Sequence, residues 1–292
     1  MQQEKRQRLP EWLKVRLPSG DTYTEVKRLL NSSRLNTVCK EANCPNVGEC
    51  FNQKTATFLI LGDVCTRGCR FCNVTKGTTK PVDYEEPDRV AVAANQMGLR
   101  HVVVTSVTRD DLKDGGAAIY ANTISMIRRH NPESSIEVLI PDFKGSIESL
   151  NMVIRETPDV INHNIETVPR LYKLVRPGAI YKQSLNILEH VKNTNPAIMS
   201  KSGLMVGIGE EFEEIVDVMK DLRRAGCEIL TIGQYLSPGK RHLSVQRYYH
   251  PDEFADFGKI GKELGFEHVE SGPLVRSSYH ASDHIKRLAF SG

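Results

Sequence analysis

Six of the seven cysteines in this 292-residue chain fall within residues 39–72, where they form two triplets of different spacing. The first triplet reads C-x4-C-x5-C and the second reads C-x3-C-x2-C. Iron-sulfur clusters usually take four thiolates, and structural zinc sites also take four ligands. Two triplets that stop at three therefore predict two metal clusters, each with one position left for another ligand. The thiolates are Cys39, Cys44 and Cys50 in the first triplet and Cys65, Cys69 and Cys72 in the second.

The spacing of the second triplet suits a tight loop around one cuboidal cluster, with three irons held by protein and the fourth open to a chelating small molecule. An aromatic residue, Phe71, precedes the last cysteine. This pattern resembles the signature of the radical SAM enzymes. The resemblance implies that the open iron binds S-adenosylmethionine and that an electron from the cluster cleaves it to a 5'-deoxyadenosyl radical. A zinc knuckle or a disulfide framework is the alternative, but zinc spacings favour C-x2-C pairs.

The first triplet needs its own fourth ligand, and Cys227 is the one cysteine left. Cys227 lies between a helical pattern and an apolar run, where we expect a buried cysteine that acts as a small hydrophobe. The fourth ligand is then not a thiolate. The two triplets in this order, followed by RSSYHA at 276–281, resemble the lipoyl synthase family. The resemblance implies that a serine of this motif, Ser278 or alternatively Ser277, ligates the auxiliary cluster.

Apolar or β-branched runs alternate with amphipathic stretches along the rest of the chain. Repeated βα units predict a parallel sheet, and short continuous apolar strands predict burial on both faces. Six units fit an α/β fold, a partial (β/α)6 TIM-type barrel, and residues 267–272 are a candidate seventh strand. The predicted strands are 55–61, 101–106, 136–141, 160–166, 204–209 and 228–233, and helices are predicted within 87–99, 117–130 and 213–226.

Three segments are predicted along the chain. Residues 1–54 form an N-terminal arm and auxiliary-cluster segment, residues 55–270 form the barrel, and residues 271–292 form a C-terminal extension whose RSSY motif closes the auxiliary cluster. A chain of 292 residues can bury a sizeable core, and one barrel of ordinary size would use most of it. The segment PEWLKVRLPSG resembles the N-terminal arm of the family, which implies that it lies over the barrel and helps to receive an acidic carrier protein.

Polar residues follow every predicted strand, and ligands of such barrels gather where strands end and loops begin. Three segments here resemble family motifs: HNIETV at 163–168, the stretch around Arg176, and the G-x-M-x-G-x-x-E run at 203–210. The resemblance implies contacts to S-adenosylmethionine, in which glycine lets the backbone approach the adenine and the planar arginine fork clamps a carboxylate. The usual Gly-Gly-Glu run after the second strand is absent, and TSVTRDD stands in its place. The candidate contacts are Phe71, Thr105, Ser106, Asn164, Glu166, Arg176, Gly207 and Glu210.

Other titratable residues invite a simpler interpretation. Asp110 and Asp111 are adjacent carboxylates, but abstraction of a hydrogen atom needs no acid-base pair, so we expect salt links to Arg109 or a lysine. His163 and His280 lie within matched motifs and are assigned no catalytic role.

The resemblance runs from the N-terminal arm to RSSYHA and implies an enzyme that inserts sulfur. The implied substrate is an octanoyl chain, amide-linked to lysine on a carrier domain, which receives sulfur at its sixth and eighth carbons. The implied cofactors are two [4Fe-4S] clusters and S-adenosylmethionine, with the second triplet making the radical and the first supplying sulfide. The implied partners are octanoylated lipoyl-carrier domains, such as 2-oxoacid dehydrogenase acyltransferase subunits and the glycine cleavage H protein, and an electron donor such as flavodoxin or ferredoxin.

Several other functions compete with this one. Another radical sulfur inserter or a methylthiolating enzyme should lack the first triplet together with the serine motif, and a nonenzymatic electron carrier or a zinc-stabilised RNA-binding module is the alternative from another class. The formal net charge of +3 is too small to indicate nucleic acid, and no apolar run approaches membrane-spanning length. Clustered reduced cysteines indicate a reducing compartment, and no signal or transit peptide is visible. We therefore expect a cytoplasmic enzyme with neither a nucleic-acid nor a membrane partner.

Overall fold

Seven parallel strands and one short antiparallel strand form the central sheet. The structure is a computed structural model that describes residues 8–15, 17–279 and 281. The strands are β1 Asn36–Thr37, β2 Thr57–Ile60, β3 Val64–Cys65, β4 Thr75–Lys76, β5 His101–Ser106, β6 Ser135–Leu139, β7 Val160–Asn162, β8 Met199–Val206, β9 Ile229–Gln234 and β10 His268–Gly272. The order across the sheet is β1-β2-β5-β6-β7-β8-β9-β10, and β3 and β4 form a separate pair.

Helices connect the parallel strands and cover the outside of the sheet, as expected for repeated βα units. Their ends carry the expected signals. For example, Glu211 and Glu214 form a capping box where the helix Phe212–Arg224 begins, and Arg223 and Arg224 lie in its last turn. The α-helices are α1 Asp21–Ser32, α2 Val38–Glu41, α3 Val47–Asn52, α4 Glu86–Gln96, α5 Ala117–His130, α6 Ile147–Arg155, α7 Tyr172–Val175, α8 Tyr181–Thr194, α9 Phe212–Arg224 and α10 Pro251–Glu263, with 3-10 turns at Glu11–Leu13, Phe143–Gly145 and Pro169–Leu171.

The predicted elements agree with the observed ones except at the fourth and fifth predicted strands. The fourth is predicted at 160–166, but β7 ends at Asn162. The larger difference is at the fifth predicted strand. The sequence predicts this strand at 204–209, but β8 begins at Met199 and ends at Val206. Its early residues Ser200, Lys201 and Ser202 are polar and yet fully buried. Because strand prediction depends on apolar periodicity, a buried polar run is taken for a loop. The candidate seventh strand at 267–272 is β10, and Cys227 is buried as predicted.

The polar residues of β8 are buried because they meet polar partners from neighbouring strands. Lys201 Nζ donates to both carboxylate oxygens of Glu137 at 2.9 Å, and Asn162 Nδ2 donates to the same carboxylate at 3.1 Å. Burial alone would raise the pKa of Glu137, but Lys201 and His101 lower it to about 2. A buried charge is tolerated when it is paired in this way. Part of the barrel interior is therefore ionic.

The sheet has two edges, β1 and β10, and chain segments from both termini lie at this opening. Asn46 Nδ2 donates to the carbonyl of Leu274 at 2.8 Å, so the segment after β10 is joined to the segment before β2. The ring of Trp12, in the N-terminal arm, lies 5.0 Å from the ring of His250. Chain segments outside the barrel therefore pack where the sheet is left open.

None of the helices in the described ranges combines the length and apolarity needed to cross a bilayer.

Candidate active site

The second cysteine triplet lies in the loop that follows β2, at the carboxyl end of the strand. β3 ends at Cys65, and the amide of Cys72 donates to the carbonyl of Cys69 at 3.2 Å, which turns the loop back on itself. All three thiols are free. Burial raises the pKa of Cys72 to about 12, and the charges of Cys69 and Cys65 add to the rise. Thiols that affect one another in this way face a common space.

The first triplet lies on the two short helices before β2. Cys39 is in α2, Cys50 is in α3, and Cys44 lies in the turn between them, where its amide donates to the carbonyl of Cys39 at 3.1 Å. Burial raises the pKa of Cys50 to about 12, and the other two thiols of the triplet contribute. Burial likewise raises the pKa of Cys39 to about 11. Three free thiols again converge.

The RSSY motif reaches the first triplet although it lies 221 residues away from β2 in sequence. Thr57 Oγ1 donates to Ser278 Oγ at 2.8 Å, and Thr57 also hydrogen-bonds the Cys39 thiol. Tyr279 Oη donates to the Glu49 carboxylate at 3.1 Å, beside Cys50. Among the described residues, Ser277 makes none of these contacts. The geometry therefore favours Ser278 over Ser277, while His280 lies outside the described residues.

Each triplet lies beside one half-buried arginine. The positive charge of Arg276 lowers the pKa of Cys44, although burial raises it more, and Arg176 acts in the same way on Cys69. A cation beside a thiol favours the thiolate, which is the form that binds a metal. The sequence motifs predict Arg176 as a cofactor contact but attach no role to Arg276.

Within the described ranges, no three His, Cys, Asp or Glu side chains come close enough to hold a single metal ion. The ligands of one zinc ion surround one point, whereas the ligands of a cuboidal cluster are separated by the width of the cluster. Two sets of three free thiols, each within one short segment, supply the three protein ligands that a cuboidal iron-sulfur cluster with one open position needs. The buried thiols carry raised pKa values, and iron that replaces their protons would remove that cost.

Candidate contacts to S-adenosylmethionine meet beside the second triplet. Asn164 Nδ2 donates to Glu166 at 3.0 Å, and Arg176 Nη1 donates to the carbonyl of Asn164 at 2.8 Å. Two buried polar atoms in this group, Asn164 Oδ1 and Arg176 Nε, have no hydrogen-bond partner among the described residues. A Cβ placed on Gly203 would lie 2.7 Å from Asn164 Oδ1. Buried polar atoms left without partners, beside a glycine that has no side chain, fit a polar ligand.

The loop after β8 is shaped by its own glutamate. Gly207 has a φ of 103°, and a Cβ there would lie 2.1 Å from Gln234 Nε2, so only glycine fits. The Glu210 carboxylate accepts hydrogen bonds from the amides of Gly207 and, at 2.9 Å, Ile208. Glu210 thus supports the loop backbone, so that any contact to a nucleoside would come from the loop as a whole.

Three further predicted contacts lie around the same strand ends. Phe71 is half-buried and packs against the core cluster that contains Val206. Thr105 Oγ1 donates to the carbonyl of Leu139 at 2.8 Å, whereas the buried Ser106 Oγ lacks a hydrogen-bond partner among the described residues. Ser106 is therefore the freer of the two hydroxyls to meet a ligand.

Comparison with known proteins shows which family the chain belongs to. Residues 59–222 match the family model of the radical SAM superfamily, and residues 1–44 match that of the N-terminal domain of lipoyl synthase. The lipoyl synthase of Rubrobacter xylanophilus is 57% identical over 277 residues, or 95% of this chain and 86% of that protein. The lipoyl synthase of Caldanaerobacter subterraneus subsp. tengcongensis is 57% identical over 94% of this chain and 96% of that protein. This chain belongs to the lipoyl synthase family.

Solved structures with a similar fold share little sequence with this chain. Streptococcus suis SuiB bound to precursor peptide SuiA matches with a TM-score of 0.55 and 10% identity, over 79% of this chain and 50% of that chain. Methylornithine synthase matches with a TM-score of 0.50 and 12% identity, over 92% and 88%. These likenesses support the fold, and the predicted partial barrel is confirmed. Membership in the lipoyl synthase family makes the chain a radical SAM enzyme and removes the electron-carrier and RNA-binding alternatives.

Arg67, inside the second triplet, is held by two carboxylates that the sequence motifs do not connect to it. Its Nε and Nη2 donate to Asp110 at 2.7 and 2.9 Å, and its Nη1 donates to Asp142 at 2.8 Å. Asp142 also accepts from the amide of Lys144 at 3.0 Å in a turn where Phe143 and Lys144 have φ values of 45° and 53°. Such strained turns persist where surrounding contacts hold them. The strand ends of β5 and β6 thereby anchor the cluster loop. Arg67 lies between Cys65 and Cys69, and a charged residue in such a position is a sequence signal that could have indicated this anchoring role.

Replacing Arg67 with lysine should loosen the cluster loop, because a lysine ammonium cannot reproduce a fork that bonds two carboxylates at once. We expect iron to be lost from the second triplet about 10-fold to 100-fold more readily. Timed iron release to a chelator measures this. Arg170→Lys is the matched control, since Arg170 forms a forked pair with Glu214 at an exposed site. Equal iron release from the two variants would contradict the anchoring role.

The two aspartates that follow β5, Asp110 and Asp111, agree with the prediction in part. Arg109 bonds Asp111 at 2.8 Å, as expected, and lowers the pKa of Asp111 to about 2. Asp110 instead bonds Arg67, which the sequence does not predict. Neither aspartate is free to act as a paired acid and base.

His163 should make stability depend on pH. It is buried between the carbonyl of Ile140, 2.9 Å from Nδ1, and the hydroxyl of Ser184, 3.0 Å from Nε2. Burial, with Arg176 nearby, lowers the pKa of His163 from 6.5 to about 4. Between pH 6.5 and about pH 4, the unfolded chain binds a proton at His163 and the folded protein does not. The free energy of unfolding therefore falls as the pH falls. From pH 7 to pH 5 the loss from this residue is about 2 kcal/mol.

The test of this pH dependence is urea unfolding at pH 7, 6 and 5 for the wild type and for His163→Gln. Glutamine keeps hydrogen-bonding atoms at the site but does not titrate in this range. The stability difference between the two proteins should shrink toward low pH. Parallel curves would mean that His163 stays neutral in both states or is charged in both.

Proposed function

We propose that this enzyme inserts two sulfur atoms, at the sixth and eighth carbons of an octanoyl group held on a carrier protein, to give the lipoyl cofactor. Family membership supports the reaction class. The observation that carries the proposal is that the chain has two separate thiol triplets and that, among the described residues, Ser278 of the RSSY motif contacts Thr57 beside the first of them. Two sites with different fourth ligands suit two different tasks.

The second triplet, Cys65, Cys69 and Cys72, would hold one [4Fe-4S] cluster, and Cys39, Cys44, Cys50 and Ser278 would hold the other. When bound, the cluster at Cys65, Cys69 and Cys72 supplies the electron that cleaves S-adenosylmethionine to a 5'-deoxyadenosyl radical. The cluster at Cys39, Cys44, Cys50 and Ser278 supplies sulfide. In this proposal the two sites lie near each other, because the loop of the second triplet is joined to the first-triplet segment, where Asn73 Nδ2 donates to the carbonyl of Glu41 at 2.9 Å.

The chain's own residues prepare the nucleotide site. Arg176 is oriented by Tyr172, whose hydroxyl accepts from Nη1 at 2.8 Å and whose ring lies 5.4 Å from the guanidinium carbon. Its unpaired Nε is then available for a carboxylate, and Asn164 Oδ1 is available for an ammonium or hydroxyl donor. Glu166 is buried, which raises its pKa, although Arg176 opposes the rise. These groups suit a zwitterionic amino acid attached to a nucleoside.

Ser278 has the chemistry of a replaceable ligand. An oxygen ligand matches iron in a sulfide cluster less well than a thiolate does, so the iron it holds would be the easiest to release. Thr57 donates a hydrogen bond to Ser278 Oγ and so fixes where this oxygen points. A cluster that gives up sulfur needs one iron that is easily released.

The partners follow from the reaction. Octanoylated lipoyl-carrier domains would supply the substrate, either acyltransferase subunits of 2-oxoacid dehydrogenases or the glycine cleavage H protein. A flavodoxin or ferredoxin would supply electrons. Seven free cysteines favour a reducing compartment, and we place the enzyme in the cytoplasm.

The test is anaerobic incubation of the iron- and sulfide-reconstituted enzyme with an octanoyl-lysine carrier peptide, S-adenosylmethionine and dithionite, followed by mass analysis of the peptide. We expect a peptide that has gained two sulfur atoms. Two molecules of 5'-deoxyadenosine should form for each modified peptide. A peptide with unmodified lysine is the control substrate. Deoxyadenosine without any sulfur gain on the octanoylated peptide would exclude the proposed reaction.

A further inference from the structure

The outer side of the second-triplet loop is lined by exposed basic side chains. Arg70 lies within the triplet, and Lys76 of β4 lies over the loop, since a Cβ on Gly68 would be 3.0 Å from Lys76 Nζ. The turn that carries Lys240 and Arg241 is joined to the same loop. We name these four residues, Arg70, Lys76, Lys240 and Arg241, the basic rim.

Two contacts hold the turn against the cluster loop. His242 Nε2 lies 3.2 Å from the carbonyl of Cys72, and the amide of Leu243 donates to the carbonyl of Arg70 at 3.1 Å. Lys240 and Arg241 are thus beside the last cysteine of the triplet, on its solvent side. The other side of the triplet faces Arg176 and Glu166, where the nucleotide site lies.

The charges of the basic rim are not neutralised within the part of the chain that the structure describes. No salt bridge or side-chain hydrogen bond there reaches any of the four, whereas the neighbouring Lys80 is paired with Asp63 at 3.2 Å. Four cations exceed the formal net charge of the whole chain, +3, so the remaining surface is close to balanced. A local excess of one sign attracts partners of the opposite sign and speeds their association.

The proposed function requires an electron from outside for every S-adenosylmethionine cleaved. Electron transfer between proteins falls off steeply with distance, so a donor must approach the second triplet closely. The nucleotide and substrate occupy its inner side. The basic rim is a solvent-exposed face that adjoins Cys72 through the contacts described above.

We infer that the basic rim is the docking surface of an acidic one-electron carrier protein, an inference that rests on the proposed function. The reduced carrier loses one electron and is oxidised by one unit. That electron ends in S-adenosylmethionine, whose carbon-sulfur bond breaks to give methionine and the 5'-deoxyadenosyl radical.

The test compares two reductants on the reconstituted enzyme that carries Lys76→Glu, Lys240→Glu and Arg241→Glu together. With a reduced flavodoxin of net negative charge at low ionic strength, stopped-flow loss of the flavodoxin signal should slow about 10-fold or more. The deficit should shrink as salt rises, because the charges are exposed. With dithionite, a small reductant that needs no docking surface, deoxyadenosine formation should match the wild type.

A matched control reverses two exposed charges at the opposite end of the barrel, Arg129→Glu with Arg155→Glu, in the last turns of α5 and α6. It should be reduced by flavodoxin at the wild-type rate. Three results would overturn the inference: an unchanged flavodoxin rate in the rim variant, an equal loss with dithionite, or a raised KM for octanoylated carrier alone. Because reduction is followed without octanoyl substrate, failure of sulfur insertion would leave this result interpretable.

Discussion

Replacing Cys69 with alanine should abolish the reductive cleavage of S-adenosylmethionine. Cys69 is the thiol of the second triplet that faces Arg176 and Glu166, so its loss removes a cluster ligand beside the nucleotide site. Loss of a residue that merely orients a metal ligand costs about 10-fold to 100-fold, and loss of the ligand itself should cost more. Deoxyadenosine formed under dithionite is the measurement, together with iron and sulfide per chain.

The control for this variant is Cys227→Ala. Cys227 is as free as the other six thiols, but it is fully buried, and its Sγ lies 3.3 Å from the carbonyl of Ile229. Its replacement should leave cleavage and iron content unchanged. Cleavage that survives in Cys69→Ala would remove the second triplet from the radical step.

Replacing Cys44 with alanine should have the opposite pattern, with cleavage of S-adenosylmethionine retained and sulfur insertion lost. Cys44 belongs to the triplet that Ser278 and Arg276 adjoin, and its charge interacts with Arg276. The second triplet has its own loop and its own arginine, so it should keep its iron. The expected readout is deoxyadenosine near the wild-type amount, no sulfur in the octanoylated peptide, and about half of the iron.

A Cys44→Ala and Cys69→Ala pair measured side by side decides between separate and shared roles. Equal loss of both activities in both variants would mean that the triplets act as one site. Ser278→Ala with Ser277→Ala adds a finer comparison, because the Thr57 contact involves Ser278 alone. Sulfur insertion should be lost in the first of these and kept in the second.

The triplets, the serine motif and most of the barrel were predictable because each leaves a local pattern. Cysteine spacing is a property of neighbouring residues, and the apolar runs of β5 and β9 mark buried strands directly. Helix α5 begins and ends where the amphipathic stretch 117–130 predicts. The three-segment division of the chain and the individual ligand roles stay predictions.

Other parts of the site could not be predicted, because they depend on residues far apart in the chain. Nothing near Arg67 indicates that Asp142 will bond it, and nothing near Lys201 indicates a carboxylate partner on β6. The sequence pattern therefore predicts a loop where the polar residues of β8 begin the strand. The contact that distinguishes Ser278 from Ser277 is made with Thr57, 221 residues away.

By itself, the sequence determined which chemistry this protein can perform, since thiol identity and spacing decide what a loop can bind. Folding decided that Ser278 and Arg276 lie beside the first triplet and Arg176 beside the second, and which face of the second loop stays open to solvent. The physical reason is that ligand type is a property of the residue, whereas convergence needs the barrel to bring its two ends together across the open seam between β1 and β10.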